Sequence, residues 1–241
     1  RLRFHTQTAG VSLTAQQPMN NVVRTAVEAL AGVLGGTQSL HTNALDEVLA
    51  LPTEDAAKLA LRTQQIIAHE TGVADVIDPL GGSYFLESLT DRMEELAEAE
   101  FARILARGSG SMLEGVLAGI ESGYFQQEIA ESAFREQERF EQGDLVKVGV
   151  TDLVEEHEAS MEILEIPAET EGDQIERLRA VRRRRDAAAA RAALDRLAAL
   201  AATDANLVEP LVDCARALCS EGEIVDALRG VFGEYVETPR F

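Results

Sequence analysis

Leu2-Arg3-Phe4-His5-Thr6-Gln7-Thr8 and Thr37-Gln38-Ser39-Leu40-His41-Thr42-Asn43 decide the fold of the N-terminal third of the chain. Both runs read as strands, yet both carry polar groups where a buried strand is apolar. Side chains alternate across a strand, so Leu2 and Phe4 share one face while Arg3, His5 and Gln7 share the other. In the second run Ser39, His41 and Asn43 share a parity. Between the runs Val22, Val23, Val27, Leu30 and Leu34 recur at helical spacing from Asn20 to Leu34, and Gly35-Gly36 stops that helix. A second helix opens at Thr53-Glu54-Asp55 after Pro52 and ends at Gly72. The order β-α-β-α predicts a parallel sheet covered by helices. Its polar face predicts a cavity wall, with Leu2 and Phe4 on the side that holds outer helices.

Beyond this segment the chain reads as mostly helical. Asp78-Pro79-Leu80-Gly81-Gly82 marks a boundary, giving a first section of residues 1–82 and a second of residues 83–241. Helices are expected from Ser83 to Arg107, from Met112 to Ile120 and from Phe125 to Phe140, with Gly108-Ser109-Gly110-Ser111 and Ser122-Gly123 as breaks. Leu145-Val146-Lys147-Val148-Gly149-Val150 reads as a further strand, and Met161 to Pro167 as a second extended piece. One long helix from Gln174 to Ala202, one from Val208 to Cys219 and one from Glu221 to Val231 follow. A short polar tail after Tyr235 ends the chain.

The chain has 241 residues, enough for one large domain or two small ones, and 46% of them are hydrophobic. No apolar run approaches the ~20 residues of a membrane span. A chain that begins inside a strand at Arg1 is expected to have lost its natural start, so a missing leader carries no weight. The net charge of −20 argues against nucleic acid as a partner, because the phosphate backbone rewards positive charge. Arg182-Arg183-Arg184-Arg185 is expected to form a solvated face paired with Glu176, Asp186 and other acids. Cys214 and Cys219 fit neither a zinc pattern nor a disulfide framework, and read as small core residues in a reducing, cytoplasmic compartment.

No P-loop, no Gly-x-Ser-x-Gly elbow and no His-Glu-x-x-His motif is present. Chemistry therefore falls to the polar strand faces and to the loops after their C-terminal ends. Those ends carry Gln7, Thr8, Gly10 and Ser12 after the first strand, and Asn43, Asp46 and Glu47 after the second. No metal-ligand set is apparent.

At these residues the chain resembles a known family. Arg3 to Thr14, Asn20-Asn21, Arg24-Thr25, Gly36 to Asn43, Asp46-Glu47 and Leu51-Pro52-Thr53 are similar to the large subunit of acyl-CoA mutases of the methylmalonyl-CoA mutase family. So are Asp78-Pro79, Gly81-Gly82-Ser83-Tyr84, Val148-Gly149-Val150, Gly222-Glu223-Ile224 and Ala227-Leu228. The resemblance implies the last two β-α units of a (β/α)8 TIM barrel, an α/β fold, followed by an α-rich extension. It implies an isomerase dependent on adenosylcobalamin, whose cobalt is held by a separate domain or subunit. The reaction implied is a radical carbon-skeleton rearrangement, (R)-methylmalonyl-CoA to succinyl-CoA, with isobutyryl-CoA or a hydroxyacyl-CoA as the alternative substrate.

The resemblance makes His5 and Gln7 catalytic, Arg3, His5, Gln38 and Ser39 substrate-binding, and Gln7, Val11, Glu47 and Ala50 cofactor-binding. Alternation puts Gln38 and Ser39 on opposite faces, so a strand end or bulge must intervene if both reach one ligand. Val11, Met19 and Thr151 stand where many members carry tryptophan, tyrosine and asparagine, and Val11 points to the subgroup with separate subunits or to a relative using another acyl-CoA. The implied partners are an acyl-CoA and a cobalamin-binding subunit or domain, in a hetero-oligomer or dimer; this piece alone is expected to be inactive. A competing expectation is a non-catalytic assembly module that docks its partner through the helices after Ser83. Its exposed edge from Leu2 to Gln7 would then drive dimers or aggregation.

Overall fold

The computed structural model describes residues 2–156 and 161–236, so the last residues of the expected polar tail lie outside the described residues. Contacts divide the chain into two compact units, Arg1–Leu164 and Glu165–Pro239.

The first unit opens with β1 (His5–Gln7), α1 (Asn20–Leu34), β2 (Ser39–His41) and α2 (Glu54–Glu70). The strands pair in parallel with His5 opposite Ser39, Thr6 opposite Leu40 and Gln7 opposite His41. The predicted β-α-β-α order is therefore present, with strands shorter than the quoted runs, and these are the only two strands among the described residues. A Cβ on Gly32 would lie 3.2 Å from Thr6 Cγ2 and 3.7 Å from Leu40 Cδ1, so the bare glycine lets α1 seat directly on the sheet. Thr6 and Leu40 thus form the packed face. Leu2 and Phe4, expected to hold outer helices, are exposed instead.

The loop after β2 is the best-buried part of this unit. Ala44 and Leu45 pack with Ala56 and Ala60 of α2, and Val22 and Met161 close over them. Asp46 Oδ2 accepts from the Thr53 amide at 2.9 Å and from its hydroxyl at 3.1 Å. Thr53 in turn caps α2 by accepting from the Ala56 amide.

Three further helices complete the unit: α3 (Tyr84–Arg107), α4 (Met112–Ser122) and α5 (Tyr124–Glu141). They match the expected helices to within a residue or two. The strand expected at Leu145 to Val150 does not form. There the chain makes a turn closed by one isolated bridge, Val148 to Asp152, and Gly149 takes a φ of 80°. A β-branched run needs a partner edge to become a strand.

The second unit holds α6 (Glu169–Arg184), α7 (Ala187–Ala201), α8 (Val208–Arg216) and α9 (Glu221–Phe232). Leu197, Ala190 and Ala201 of α7 and Pro210 and Cys214 of α8 are its buried apolar residues among those described. The single long helix expected from Gln174 to Ala202 is broken at Arg185-Asp186. Arg185 is extended, with φ −74° and ψ 157°, and Asp186 caps α7 by accepting from the Ala188 and Ala189 amides. The arginine is drawn to α9, where it meets both oxygens of Glu223 at 2.7 and 2.6 Å. The arginine run is thus exposed at Arg182 to Arg184 and pairs with another acid than the two named: Arg182 also approaches Glu223, whereas Glu176 pairs with Arg179 and Asp186 caps a helix.

Arg185 holds the Glu223 carboxyl well below the ordinary carboxylate range; the Ser220 amide and hydroxyl add to this, against the opposing effect of desolvation. A carboxyl whose folded pKa is depressed adds stability that is complete above its unfolded pKa of about 4.3 and is lost as pH falls toward the folded value. Glu223→Gln should therefore lower the unfolding midpoint of this unit most at pH 5 and above. The gap to the unmodified chain should narrow as pH falls below about 4. A gap that stays constant from pH 7 to pH 3 contradicts this account of the pair.

Candidate functional site

Parallel pairing without a register offset brings the outward side chains of β1 and β2 onto one face. His5, Gln7, Ser39 and His41 are all exposed there, while Thr6 and Leu40 between them point to α1. His5 Nδ1 and Ser39 Oγ lie 2.8 Å apart. Gln7 Nε2 donates to Asn43 Oδ1 at 3.1 Å.

Asn43 belongs to the buried loop after β2 and is 2% exposed. Its backbone is fixed from both sides: the amide donates to Thr8 Oγ1 at 2.9 Å, and the carbonyl accepts from Thr25 Oγ1 at 3.4 Å. Asn43 Nδ2 has no hydrogen-bond partner, and a buried donor left in that state is costly. Beside it is Gly10, whose Cβ, if present, would lie 3.2 Å from Asn43 Nδ2 and 3.1 Å from Glu47 Oε1. The missing side chain at Gly10 leaves a small cradle floored by an amide and a carboxylate.

The loop from Ala9 to Gln17 is held at every turn. Glu28 of α1 accepts from the Ala9 amide at 2.8 Å, and Ser12 and Leu13 close a 3-10 turn on Ala9 and Gly10. Asn21, fully buried, accepts from the Thr14 amide at 3.0 Å and donates to the Thr14 and Leu45 carbonyls, each at 2.9 Å. Arg24 donates to Thr14 Oγ1 and Asn21 Oδ1, both at 2.8 Å. Val11 is thrust outward, 87% exposed.

The family model described as methylmalonyl-CoA mutase matches residues 1–234. The chain belongs to the methylmalonyl-CoA mutase family. Within that family it is 47% identical over 243 residues to the 2-hydroxyisobutanoyl-CoA mutase large subunit of Aquincola tertiaricarbonis, covering 100% of this chain and 42% of the relative. It is 48% identical over 235 residues to the methylmalonyl-CoA mutase of Cereibacter sphaeroides, covering 97% of this chain and 32% of that protein. With the mitochondrial methylmalonyl-CoA mutase of Mus musculus it shares 45% over 241 residues, 99% of this chain and 31% of the relative. The chain thus spans between 31% and 42% of the length of these relatives.

The residues that the resemblance to this mutase family singled out fall into three places. His5, Gln7 and Ser39 share the exposed face, and Arg3 is exposed just before β1. Gln38 stands apart: its Oε1 accepts from the Phe4 amide at 2.9 Å and its Nε2 donates to the Gly36 carbonyl, so its amide is tied to backbone. Val11, Glu47 and Ala50 lie on the loops after the strands, Glu47 against Gly10, and Ala50 half-buried with its amide on the Asp46 carbonyl at 3.0 Å. Asn43 and Gly10 complete the arrangement. Position at a strand's C-terminal end signals both, but their mutual approach depends on pairing that no local pattern reveals. Among the described residues no cluster of three His, Cys, Asp or Glu is placed to hold a metal ion. No helix among them is long and apolar enough to cross a membrane.

Proposed function

We propose that this chain forms the last two β-α units of a (β/α)8 acyl-CoA mutase barrel and the helical extension after it, within a large subunit that works with adenosylcobalamin and a cobalamin-binding partner. The observation that carries the reading is the continuous polar face, His5 with Ser39 and Gln7 with Asn43, ending at the Gly10 cradle. An ordinary parallel sheet would bury that face under apolar side chains. The residues fit a cofactor rich in amides and hydroxyls, because the unpartnered Asn43 Nδ2 and the Glu47 carboxylate supply a donor and an acceptor beside a position with no side chain. When bound, adenosylcobalamin supplies the radical that abstracts hydrogen, and the protein orients substrate and excludes water.

His5 and Ser39 act as a pair. With the Ser39 hydroxyl donating to Nδ1, the imidazole carries its proton on Nε2 and offers it to the thioester carbonyl of the substrate. Gln7, tethered to Asn43, keeps its carbonyl oxygen free to position groups between substrate and cofactor. Arg3 supplies a cation to the phosphate-bearing arm of an acyl-CoA. The substrate we favour is (R)-methylmalonyl-CoA, rearranged to succinyl-CoA. A hydroxyacyl-CoA is the second reading, favoured by the similarity of the whole chain to a 2-hydroxyisobutanoyl-CoA mutase large subunit.

Assays of the complete enzyme with its cobalamin partner on methylmalonyl-, isobutyryl- and 2-hydroxyisobutanoyl-CoA test this, and no turnover of any of them overturns it. His5→Ala should lower kcat/KM on the preferred substrate about a hundredfold, the scale of losing one oriented donor. His5 is exposed, so the unfolding midpoint should stay unchanged. Equal losses of folding and activity would assign His5 a structural role instead.

A further inference from the structure

The turn from Leu145 to Asp152, which fails to become a strand, lies across the loop after β1. Lys147 Nζ donates to the Val11 carbonyl at 3.0 Å. Gln17 Nε2 donates to the Leu153 carbonyl at 2.9 Å, and Arg24 Nη2 to the Val148 carbonyl at 2.8 Å. Gly149 is buried against Gln17: a Cβ there would sit 2.9 Å from Gln17 Cδ, and its φ of 80° would strain any other residue. The turn is itself braced, since Thr151 Oγ1 accepts from the Lys147 amide at 2.7 Å and the Thr151 amide returns to the Lys147 carbonyl at 2.9 Å. Segments more than a hundred residues apart in sequence are therefore joined by three hydrogen bonds and a backbone contact.

These ties fall where they matter for the proposed site. Gly10 is the cradle and Val11 the exposed side chain next to it. Glu28 fixes the chain before them at Ala9, and Asn21 and Arg24 fix it after them at Thr14. Between these anchors the Val11 carbonyl is held by Lys147, and this ammonium is one of only two in the chain. A lysine suits the task because a mobile stem lets a compact cation reach a carbonyl that no neutral neighbour approaches.

We propose that Lys147 is a positioning residue: through the Val11 carbonyl it clamps the loop from Gly10 to Leu13, setting where Val11 and the Gly10 cradle meet the cofactor. The inference rests on the cofactor-facing role proposed for that loop. Thr151 belongs to the same device, keeping the strap folded so that the lysine points back toward β1.

Lys147→Met keeps the stem and removes the ammonium. In the complete enzyme, amide hydrogen exchange at Ser12 and Leu13 should accelerate about tenfold while the unfolding midpoint stays unchanged. Cobalamin affinity, read by titration with no substrate present, should weaken about tenfold, and Lys147→Arg should recover most of both changes. Unchanged exchange at Ser12 and Leu13 overturns the clamp. Faster exchange with unaltered cobalamin affinity overturns its positioning role. If the unmodified enzyme binds no cobalamin, the cofactor-facing reading fails, and the exchange result still decides the clamp.

Discussion

Asn21→Leu should lower the unfolding free energy of the first unit by about 4 kcal/mol, because it strands several buried polar groups at once. The amide is fully buried and uses all of its bonding directions: Thr14 amide, Thr14 carbonyl, Leu45 carbonyl and the Arg24 guanidinium. Leucine keeps the branched shape and is larger than asparagine, so the loss is not that of a cavity. The cost comes from the partners left behind, each worth about 1–3 kcal/mol when buried without a bond. Two loops lose their common bridge, since Thr14 follows β1 and Leu45 follows β2. Circular dichroism through a urea titration measures the effect. The transition of residues 165–236 should not move, because Asn21 belongs to the other compact unit. A shift below about 1 kcal/mol would mean that solvent replaces the lost bonds and that the site loops are less tightly joined than described.

Gly115→Ala should cost the same unit about 3 kcal/mol, by overpacking and not by loss of a bond. A Cβ at this position would fall 2.0 Å from the Ile104 carbonyl oxygen and 2.9 Å from its carbon. Both belong to the backbone of α3, which cannot swing aside as a side chain would. The neighbouring approach is equally tight, since a Cβ on Gly108 would lie 2.3 Å from the Gly115 amide nitrogen. Helices α3 and α4 therefore touch backbone to backbone, and one methyl group must push them apart. Gly230→Ala is the control: it lies within α9 with nothing within 4 Å of its Cβ, so it should stabilise the second unit by about 0.5–1 kcal/mol. If both substitutions act alike, intrinsic helix preference and not the close approach governs Gly115.

Much of the local structure follows from local pattern. The bounds of α1 follow from apolar spacing and the double glycine, and the polar parity of β1 and β2 follows from strict alternation. What failed depended on distant partners. Leu145 to Val150 has the alternation of a strand, but Lys147 and Val148 are engaged by Val11 and Arg24, over a hundred residues earlier. The break between α6 and α7 arises because Arg185 reaches Glu223 in another helix, although Asp186 before a run of alanines was a readable cap. Gln38 was separated from Ser39 by parity, yet nothing local showed that its amide would close on Phe4 and Gly36. Asn43 was placed at a strand end, but its bond to Gln7 and its unpartnered nitrogen depend on the two strands being in register. The chemistry itself came from resemblance, since no periodicity distinguishes a cofactor wall from a solvated sheet.

The seat of α1 on Thr6 and Leu40, permitted by the bare Gly32, also bears on how this sheet moves. Three register pairs couple the strands, and a helix that meets the Thr6 and Leu40 side chains with a bare glycine leaves little soft layer to absorb motion. His5, Gln7, Ser39 and His41 should consequently drift as one rigid plate. Their spacing should survive thermal agitation while the plate tilts against whatever faces it, so selectivity at the proposed wall would become a matter of its inclination, adjustable from the buried side without altering a single exposed group.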